Sequence, residues 1–159
     1  MSPFKLVPAG LLLASLSLPT AAQPAAGPFA ALTGNWFGGG RISFSDGHEE
    51  SLRCRASESG GRGDNLQLNL RCASDSYTFE LASDVTYQDG AISGSWNEAT
   101  HNASGTLTGR ANGHRIEAAA RAPNFAANLA LTTVGNRQTV QIRAAGSDIA
   151  DVSLTMSRR

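Results

Sequence analysis

The 159-residue chain lacks the features that several functional classes require. Its most apolar stretch, 6–18, is shorter than the roughly 20 residues with which a helix spans a bilayer. No lysine follows Lys5, so every later cation is an arginine, which together with the abundant Ala and Gly is typical of a GC-rich bacterial genome. The formal net charge of +0 excludes the basic excess of a general nucleic-acid binder.

Catalytic and cofactor-binding motifs are also missing. His48, His101 and His114 each lie beside a predicted turn, without a partner that would orient a catalytic base. Residues 48–50, His-Glu-Glu, are a poor metal site because alternation sends neighbours to opposite faces of a strand. Residues 38–40, three glycines, precede no helix and indicate a bend or bulge, not a phosphate-binding loop. We therefore expect a protein that is not an enzyme and has no cofactor and no metal site.

The first 22 residues predict a cleaved export signal. A short segment with one cation is followed by the apolar run and by small residues that suit a signal peptidase. Residues 23–31, rich in Ala and Pro and without periodicity, predict a flexible leader, and 32–159 has the length of a single domain. We expect the protein in the periplasm or outside a Gram-negative bacterium, with no stable membrane insertion.

The rest of the chain is a succession of short segments in which apolar and polar residues alternate. This period of two predicts half-buried strands, and the intervening dipeptides supply the positive φ of tight hairpin turns: Asp46-Gly47, Asp89-Gly90, Asn112-Gly113 and Gly135-Asn136. About ten strands in sequential hairpins, with no convincing helix, predict an all-β antiparallel up-and-down meander. Closure into a small barrel removes its exposed edges, so we favour a barrel over a sandwich or open sheet.

Counting back from the turns tests this assignment. The predicted facing pairs are Tyr87 with Ile92, Gly109 with Ile116, and Leu131 with Val140, and the apolar phases of both strands agree in each hairpin.

The two cysteines predict a disulfide. Cys54 and Cys72 both fall on the apolar face of their strands, and the glycine-rich stretch 58–64 lies near the midpoint between them. A hairpin folded there brings the two thiols nearly opposite each other, within the reach of a disulfide. In an oxidising compartment they should pair, which contributes about 3 kcal/mol in the chain-entropy model.

Residues 32–36, Leu-Thr-Gly-Asn-Trp, resemble the Gly-x-Trp start of lipocalin-like (calycin) and avidin-like barrels. In lipocalins a late arginine packs across this tryptophan, and Arg143 and Arg158 are its counterparts here. A larger part of the chain is similar to small exported proteins of alpha-proteobacteria that have no assigned function, through residues 34–40, 70–77 and 124–129. This resemblance implies an exported protein and no particular mechanism.

Two candidate sites follow from the strand phases. Inward aromatic residues among small inward residues predict the wall of a ligand cavity: Trp36, Phe44, Tyr87 and Trp96. The same small residues are equally consistent with a narrow, filled barrel. A three-residue first hairpin loop, 46–48, together with the disulfide register, aligns four outward arginines as a candidate anion site: Arg41, Arg53, Arg55 and Arg71. An ordinary solvated strand face is the alternative.

Three functional classes remain open. The first is a soluble exported barrel that binds a small apolar or amphipathic ligand, with an anionic cell-envelope component as a second kind of partner. The second is a protein-interaction module, such as a periplasmic protease inhibitor that uses the leader, because the layout is similar to small inhibitors of secreted metalloproteases. The third is a small outer-membrane barrel, against which the absence of aromatic girdles argues.

Overall fold

The computed structural model describes residues 26–60 and 62–159, and they form a ten-stranded barrel. The strands are β1 Gly34–Phe44, β2 Glu49–Ser59, β3 Asn65–Ala73, β4 Thr78–Gln88, β5 Ala91–Glu98, β6 Ala103–Asn112, β7 Arg115–Ala122, β8 Phe125–Val134, β9 Arg137–Ala145 and β10 Ile149–Arg158. Each strand pairs antiparallel with the next, and β1 pairs with β10, so the sheet closes. The predicted all-β meander and its closure are confirmed. The predicted export signal and residues 23–25 lie outside the described residues.

The fourth strand continues through two polar residues. The pairing of β4 with β5 is unbroken at Ser83 and Asp84. Ser83 faces inward and is buried, and its hydroxyl donates to the Ser95 carbonyl oxygen at 2.9 Å. This hydrogen bond satisfies the polar group inside the barrel, so no turn is needed there. No helix within 26–60 and 62–159 is long and apolar enough to cross a membrane.

Two of the three predicted hairpin pairings are confirmed. Tyr87 lies opposite Ile92, and Leu131 lies opposite Val140.

The third predicted pairing is wrong. Ile116 lies opposite Ala111, not opposite Gly109, because the turn consists of Gly113 and His114 and begins one residue later than predicted. Gly113 has a φ of 57° at the first turn position, a conformation that glycine adopts without steric cost. The register moves by two residues, so the apolar phase of both strands is preserved.

The first hairpin also differs from its prediction. Arg41 lies opposite Ser51, not opposite Arg53, because the turn is centred on Asp46, one residue earlier than the centre of the predicted loop 46–48. Its closing hydrogen bond runs from Phe44 N to His48 O at 2.9 Å, and the two rings stack with centroids 4.4 Å apart. The earlier turn centre moves the register by two residues, which takes Arg41 out of line with Arg53.

The three glycines of β1 form a close strand contact instead of a bulge. Pairing on both sides is regular across Gly38–Gly40, and the register shift in β1 lies between Ser43 and Phe44. A Cβ atom on Gly40 would lie 1.8 Å from the Ser153 carbonyl oxygen of β10. Only glycine permits this approach of the two backbones, so the expected bulge is corrected to a tight, unbroken pairing.

The disulfide is formed as predicted. Cys54 on β2 faces Cys72 on β3 with 4.2 Å between their Cα atoms, and both side chains are buried inside the barrel. It fixes β2 and β3 in register and sets Arg55 opposite Arg71 on the outer face.

The barrel has two different ends. The end at which β1 begins carries the connections 60–64, 89–90, 113–114 and 135–136, and we call it the plugged end. The other end carries the connections 45–48, 74–77, 99–102, 123–124 and 146–148, and we call it the mouth.

Residues that precede β1 close the plugged end. Phe29 and Leu32 are 1% and 2% exposed and form one buried cluster with inward side chains of five strands, among them Leu66, Val85, Ile92 and Ile116. The Phe29 amide donates to Gly63 O at 3.0 Å, and Trp36 Nε1 donates to Leu32 O at 2.7 Å. The predicted flexible leader therefore does not describe residues 26–31, because the burial of Phe29 anchors them as a folded turn.

Candidate functional site

The barrel interior is filled on one side and accessible on the other. Along β1 and β10 the inward side chains of Trp36, Ile42 and Leu154 are at most 4% exposed. On β6–β9 Ala127 is 5% exposed, but six other inward apolar side chains nearer the mouth keep accessible surface: Leu107, Ala120, Phe125, Leu129, Ile142 and Ala144. A close-packed core would bury these side chains completely. We call the partly exposed inward surface that these six residues form the chamber.

A glycine on β6 leaves room for Trp96 to form one wall of the chamber. Trp96 lies opposite Gly105, where a Cβ atom would lie 3.0 Å from the indole Cζ2. The indole therefore reaches across to Phe125 on β8, with ring centroids 5.5 Å apart at an interplanar angle of 63°. Its Nε1 donates to Thr106 O at 3.1 Å, so the polar end of the ring is satisfied while its apolar face lines the mouth side of the interior.

Aromatic and imidazole rings follow one side of the mouth. The His101 ring stacks on Tyr77 with centroids 4.7 Å apart, just as His48 stacks on Phe44. Phe44 and Tyr77 meet edge to face at 6.0 Å. The four rings make a continuous row from the β1–β2 connection to the β5–β6 connection, and we call this row the aromatic rim.

One inward glutamate holds the first histidine of the aromatic rim. Glu50 Oε1 lies 2.9 Å from His48 Nε2, and Glu50 Oε2 accepts a hydrogen bond from Ser76 N at 3.0 Å. Hydrogen bonds from Ser74, from Ser76 and from His48 lower the pKa of Glu50 to about 2. The same contact with Glu50 raises the pKa of His48 above its ordinary value. Glu50 is therefore a fixed negative charge at neutral pH.

A second inward glutamate holds the other histidine. Glu98 Oε2 lies 2.8 Å from His101 Nδ1 and accepts from His101 N at 2.7 Å, while Glu98 Oε1 accepts from the Glu80 and Thr100 amides. Burial acts to raise the pKa of Glu98, but these backbone and imidazole hydrogen bonds bring it below its ordinary value. Glu98 is thus a second fixed charge at the mouth.

The glutamates were detectable in the sequence. Glu50 continues the inward phase of Leu52 and Cys54, and Glu98 continues the inward phase of Ile92 and Trp96. A polar residue on an apolar face is unusual and marks a hydrogen-bonded site. The histidines carry no such signal, because their glutamate partners come within hydrogen-bonding distance only after the strands pair.

The four aromatic residues predicted to line a cavity all face inward, but they divide between the two ends. Phe44 and Trp96 lie near the mouth, whereas Tyr87 packs edge to face on Phe29 at the plugged end. Trp36 has 0% exposure and also lies at the plugged end, so only Phe44 and Trp96 border the accessible side. Ligand binding by these residues remains a prediction.

The arginine expected from the lipocalin resemblance is Arg158. Its Cζ lies 4.5 Å above the Trp36 ring, and its Nη2 donates to Ala31 O. Arg143, the other counterpart, lies on the outside with an 87% exposed side chain. Arg158 thus connects β10 to Trp36 on β1 and to Ala31, which precedes β1.

The predicted arginine cluster is only partly assembled. Arg55 faces Arg71 directly, with Arg53 two residues away on the same strand. Arg71 pairs with Glu80 at 3.0 Å, and Arg41 pairs with its hairpin neighbour Glu49 at 3.4 Å. A surface groove of about 410 Å³ runs past Arg55 and Arg71 and includes the exposed ring of Phe37. Anion binding by Arg41, Arg53, Arg55 and Arg71 remains a prediction.

Metal chemistry has no geometric basis in the part of the chain that is described. No group of three or more His, Cys, Asp or Glu side chains within 26–60 and 62–159 is arranged to hold a metal ion. The mouth and the chamber combine apolar inward side chains with hydrogen-bonded carboxylates at the opening.

Comparisons with known proteins give the fold. No protein-family profile matches the chain, and no curated protein matches it. The crystal structure of Rv2717c from M. tuberculosis is similar with a TM-score of 0.63 and 14% identity, over 82% of this chain and 94% of that chain. The S-type phycobiliprotein lyase CPES from Guillardia theta is similar with a TM-score of 0.57 and 12% identity, over 82% of this chain and 90% of that chain. These likenesses establish a shared barrel architecture.

Proposed function

We propose that the protein is an exported, non-enzymatic binding barrel that holds a small apolar or amphipathic molecule in the chamber. The observation that carries this proposal is the accessible apolar surface inside β6–β9, in a barrel whose opposite end is sealed by Phe29 and Leu32. A ligand entering through the mouth would replace water on these side chains and gain roughly 25 cal/mol per Å² of apolar surface buried.

Three further observations support it. A barrel of ten strands has a wider interior than an eight-stranded one, which side chains just fill. One of the similar structures, a phycobiliprotein lyase, is consistent with ligand handling by this architecture. The Cys54–Cys72 disulfide fits an oxidising compartment and hence export.

The two other classes have less support. A protease inhibitor of the kind considered above needs a free leader, whereas residues 26–31 are tied to the barrel through Phe29. An outer-membrane barrel needs an apolar outer band, whereas the outward positions of β3 are polar: Asn65, Gln67, Asn69 and Arg71.

A matched pair of substitutions tests the proposal. Ala120 faces the chamber and Ala119, its neighbour on β7, faces outward. Ala120→Phe fills the chamber, so we expect it to abolish saturable binding of the apolar fluorophore N-phenyl-1-naphthylamine. Ala119→Phe adds the same ring outside and should leave the affinity within about twofold of the unmodified protein. Equal binding by both variants, or no binding by the unmodified protein, contradicts the proposal.

A further inference from the structure

The charges at the mouth are divided between its inner edge and its outer face. The five connections at the mouth contain no Arg or Lys, and the acidic residues there and on the inward strand ends are Asp46, Glu50, Asp75, Glu98 and Asp148. The arginines nearest to the mouth lie on outward strand positions: Arg41, Arg53, Arg71, Arg121 and Arg143. The connections and inward strand ends of the mouth are therefore acidic, although the chain as a whole has a formal net charge of +0.

We infer that the molecule held in the chamber carries a positively charged head group, an amine or a quaternary ammonium, that lies at the mouth beside Glu50, Glu98 and Asp148. This inference rests on the proposed function, because it takes the chamber as the seat of the ligand's apolar part.

Burial makes the two glutamates effective at this position. The side chains of Glu50 and Glu98 are only 12% and 13% exposed, so water screens them less than it screens ordinary surface charges. Their carboxylates are already oriented by hydrogen bonds from Ser76, Glu80 and Thr100, so no reorganisation is needed when a cation arrives.

The pKa of Tyr77 responds to the same negative charges at the mouth. Burial raises the pKa of Tyr77, and the negative charges of Glu98 and Asp148 raise it further. A carboxylate head group placed beside Tyr77 would meet the same repulsion, whereas an ammonium would be attracted. The rings of Phe44 and Tyr77 add aromatic surface that favours a cation over an anion.

The cations of the mouth connections that could oppose this selection are the two histidines of the aromatic rim, while Arg71, Arg121 and Arg143 lie on the outer faces of strands that end there. His48 and His101 are the sole basic side chains of the mouth connections, and each is bonded to its own glutamate. They therefore compensate part of the acidic charge, while Asp75 and Asp148 are exposed and contribute charge without an ion pair to Arg, Lys or His within the described residues.

Three ligands of one chain length separate the chamber from the charge at its mouth. Displacement of N-phenyl-1-naphthylamine by dodecanol measures the apolar contribution alone, and displacement by dodecylamine and by dodecanoate measures the effect of either charge. At low ionic strength and pH 7 we expect dodecylamine to bind at least tenfold more tightly than dodecanoate, with dodecanol between them. The ratio of the dodecylamine affinity to the dodecanoate affinity should fall toward one at 1 M NaCl, where exposed charges are screened over about 3 Å.

Variants that remove negative charge from either end of the barrel show where the preference for the amine arises. Asp75→Asn with Asp148→Asn removes two exposed mouth charges, and Asp64→Asn with Asp89→Asn removes two from the plugged end. We expect the first double variant to reduce the dodecylamine-to-dodecanoate ratio several-fold and the second to leave it unchanged. Dodecanol should bind both variants equally.

The outcomes are distinguishable. If dodecanol binds but the two charged ligands bind equally, or dodecanoate binds better, the inference fails and the binding barrel stands. If none of the three ligands binds, both proposals fail. If dodecylamine still binds Ala120→Phe as tightly as the unmodified protein, the amine is held on the outer surface and the inference fails.

Discussion

Gln138 and Glu58 meet inside the barrel although 80 positions separate them in the chain. The Gln138 amide Nε2 donates to Glu58 Oε2 at 2.8 Å, and the two residues are 1% and 4% exposed. This hydrogen bond joins β9 to β2, and the Glu58 carboxyl also lies close to Arg158 and Trp36. Burial raises the pKa of Glu58 to about 7, because the amide and the nearby guanidinium only partly replace the water that the carboxylate loses.

This contact predicts a pH dependence of stability. Glu58 has a folded-state pKa of about 7 against an ordinary value of 4.5, so the folded protein keeps a proton that the unfolded chain releases. The resulting stabilisation is fully present below pH 4.5 and is lost as the pH rises through 7. We expect the free energy of unfolding to fall by up to about 3 kcal/mol between pH 5 and pH 8, measured by urea denaturation.

Two substitutions isolate this effect. Glu58→Gln keeps a hydrogen-bonding side chain without the ionisation, and we expect it to flatten the pH profile. Glu117→Gln, at an exposed glutamate paired with Arg115, should keep the profile of the unmodified protein. Parallel profiles for Glu58→Gln and the unmodified protein would show that Glu58 is not the titrating group.

The closure of the plugged end by Phe29 predicts a difference in stability between two phenylalanine variants. Phe29 is 1% exposed and packs on Tyr87, whereas Phe37 is 41% exposed on the outer face of β1. We expect Phe29→Ala to lower the free energy of unfolding by about 3 kcal/mol, since it removes a fully buried ring. Phe37→Ala should change it by less than about 1 kcal/mol. Similar values for the two variants would mean that residues 26–31 do not seal the barrel.

The disulfide should be both present and stabilising. We expect no free thiol when the purified protein is titrated in denaturant without reductant. Replacement of both cysteines, Cys54→Ala with Cys72→Ala, should cost about 3 kcal/mol of unfolding free energy, because the unfolded chain is no longer cross-linked. Two titratable thiols, or unchanged stability of the double variant, would contradict this prediction.

The arginine cluster predicts salt-sensitive binding of polyanions. Arg55→Glu with Arg71→Glu reverses the facing pair beside the groove and should abolish retention on an immobilised acidic polysaccharide at low salt, while the far-UV circular dichroism stays unchanged. Arg137→Glu with Arg143→Glu, on the outer face of β9, is the control and should keep the retention. Equal retention of the two double variants would return the cluster to an ordinary solvated surface.

Strand phase was predictable from the sequence, and strand register was less so. Phase depends on alternation alone, so the inward positions of Trp96, Leu131 and Val140 are as expected. Register depends on turn geometry, and the alternation carries no signal that the first turn is centred on Asp46 instead of Gly47. Errors of two residues preserve the phase, which explains why the barrel was predicted correctly despite two wrong registers.

The burial of Phe29 and the hydrogen bond between Glu58 and Gln138 could not be predicted from the alternation. Phe29 lies among small residues without periodicity, and its burial depends on an apolar pocket that exists only once the barrel has closed. Glu58 continues the inward phase of Cys54 and Ala56, which marks it as unusual, but its partner Gln138 is identified only by the closed sheet. Long-range contacts of this kind follow from topology, not from local pattern.

The position of a bound ligand tests the central claim most directly. In crystals of the protein with 12-bromododecanol, anomalous scattering locates the bromine atom, and the account predicts a peak inside the barrel between Leu107, Leu129 and Ile142. A bromine peak on the outer groove beside Arg55, or an interior occupied by side chains alone in saturated crystals, would contradict it.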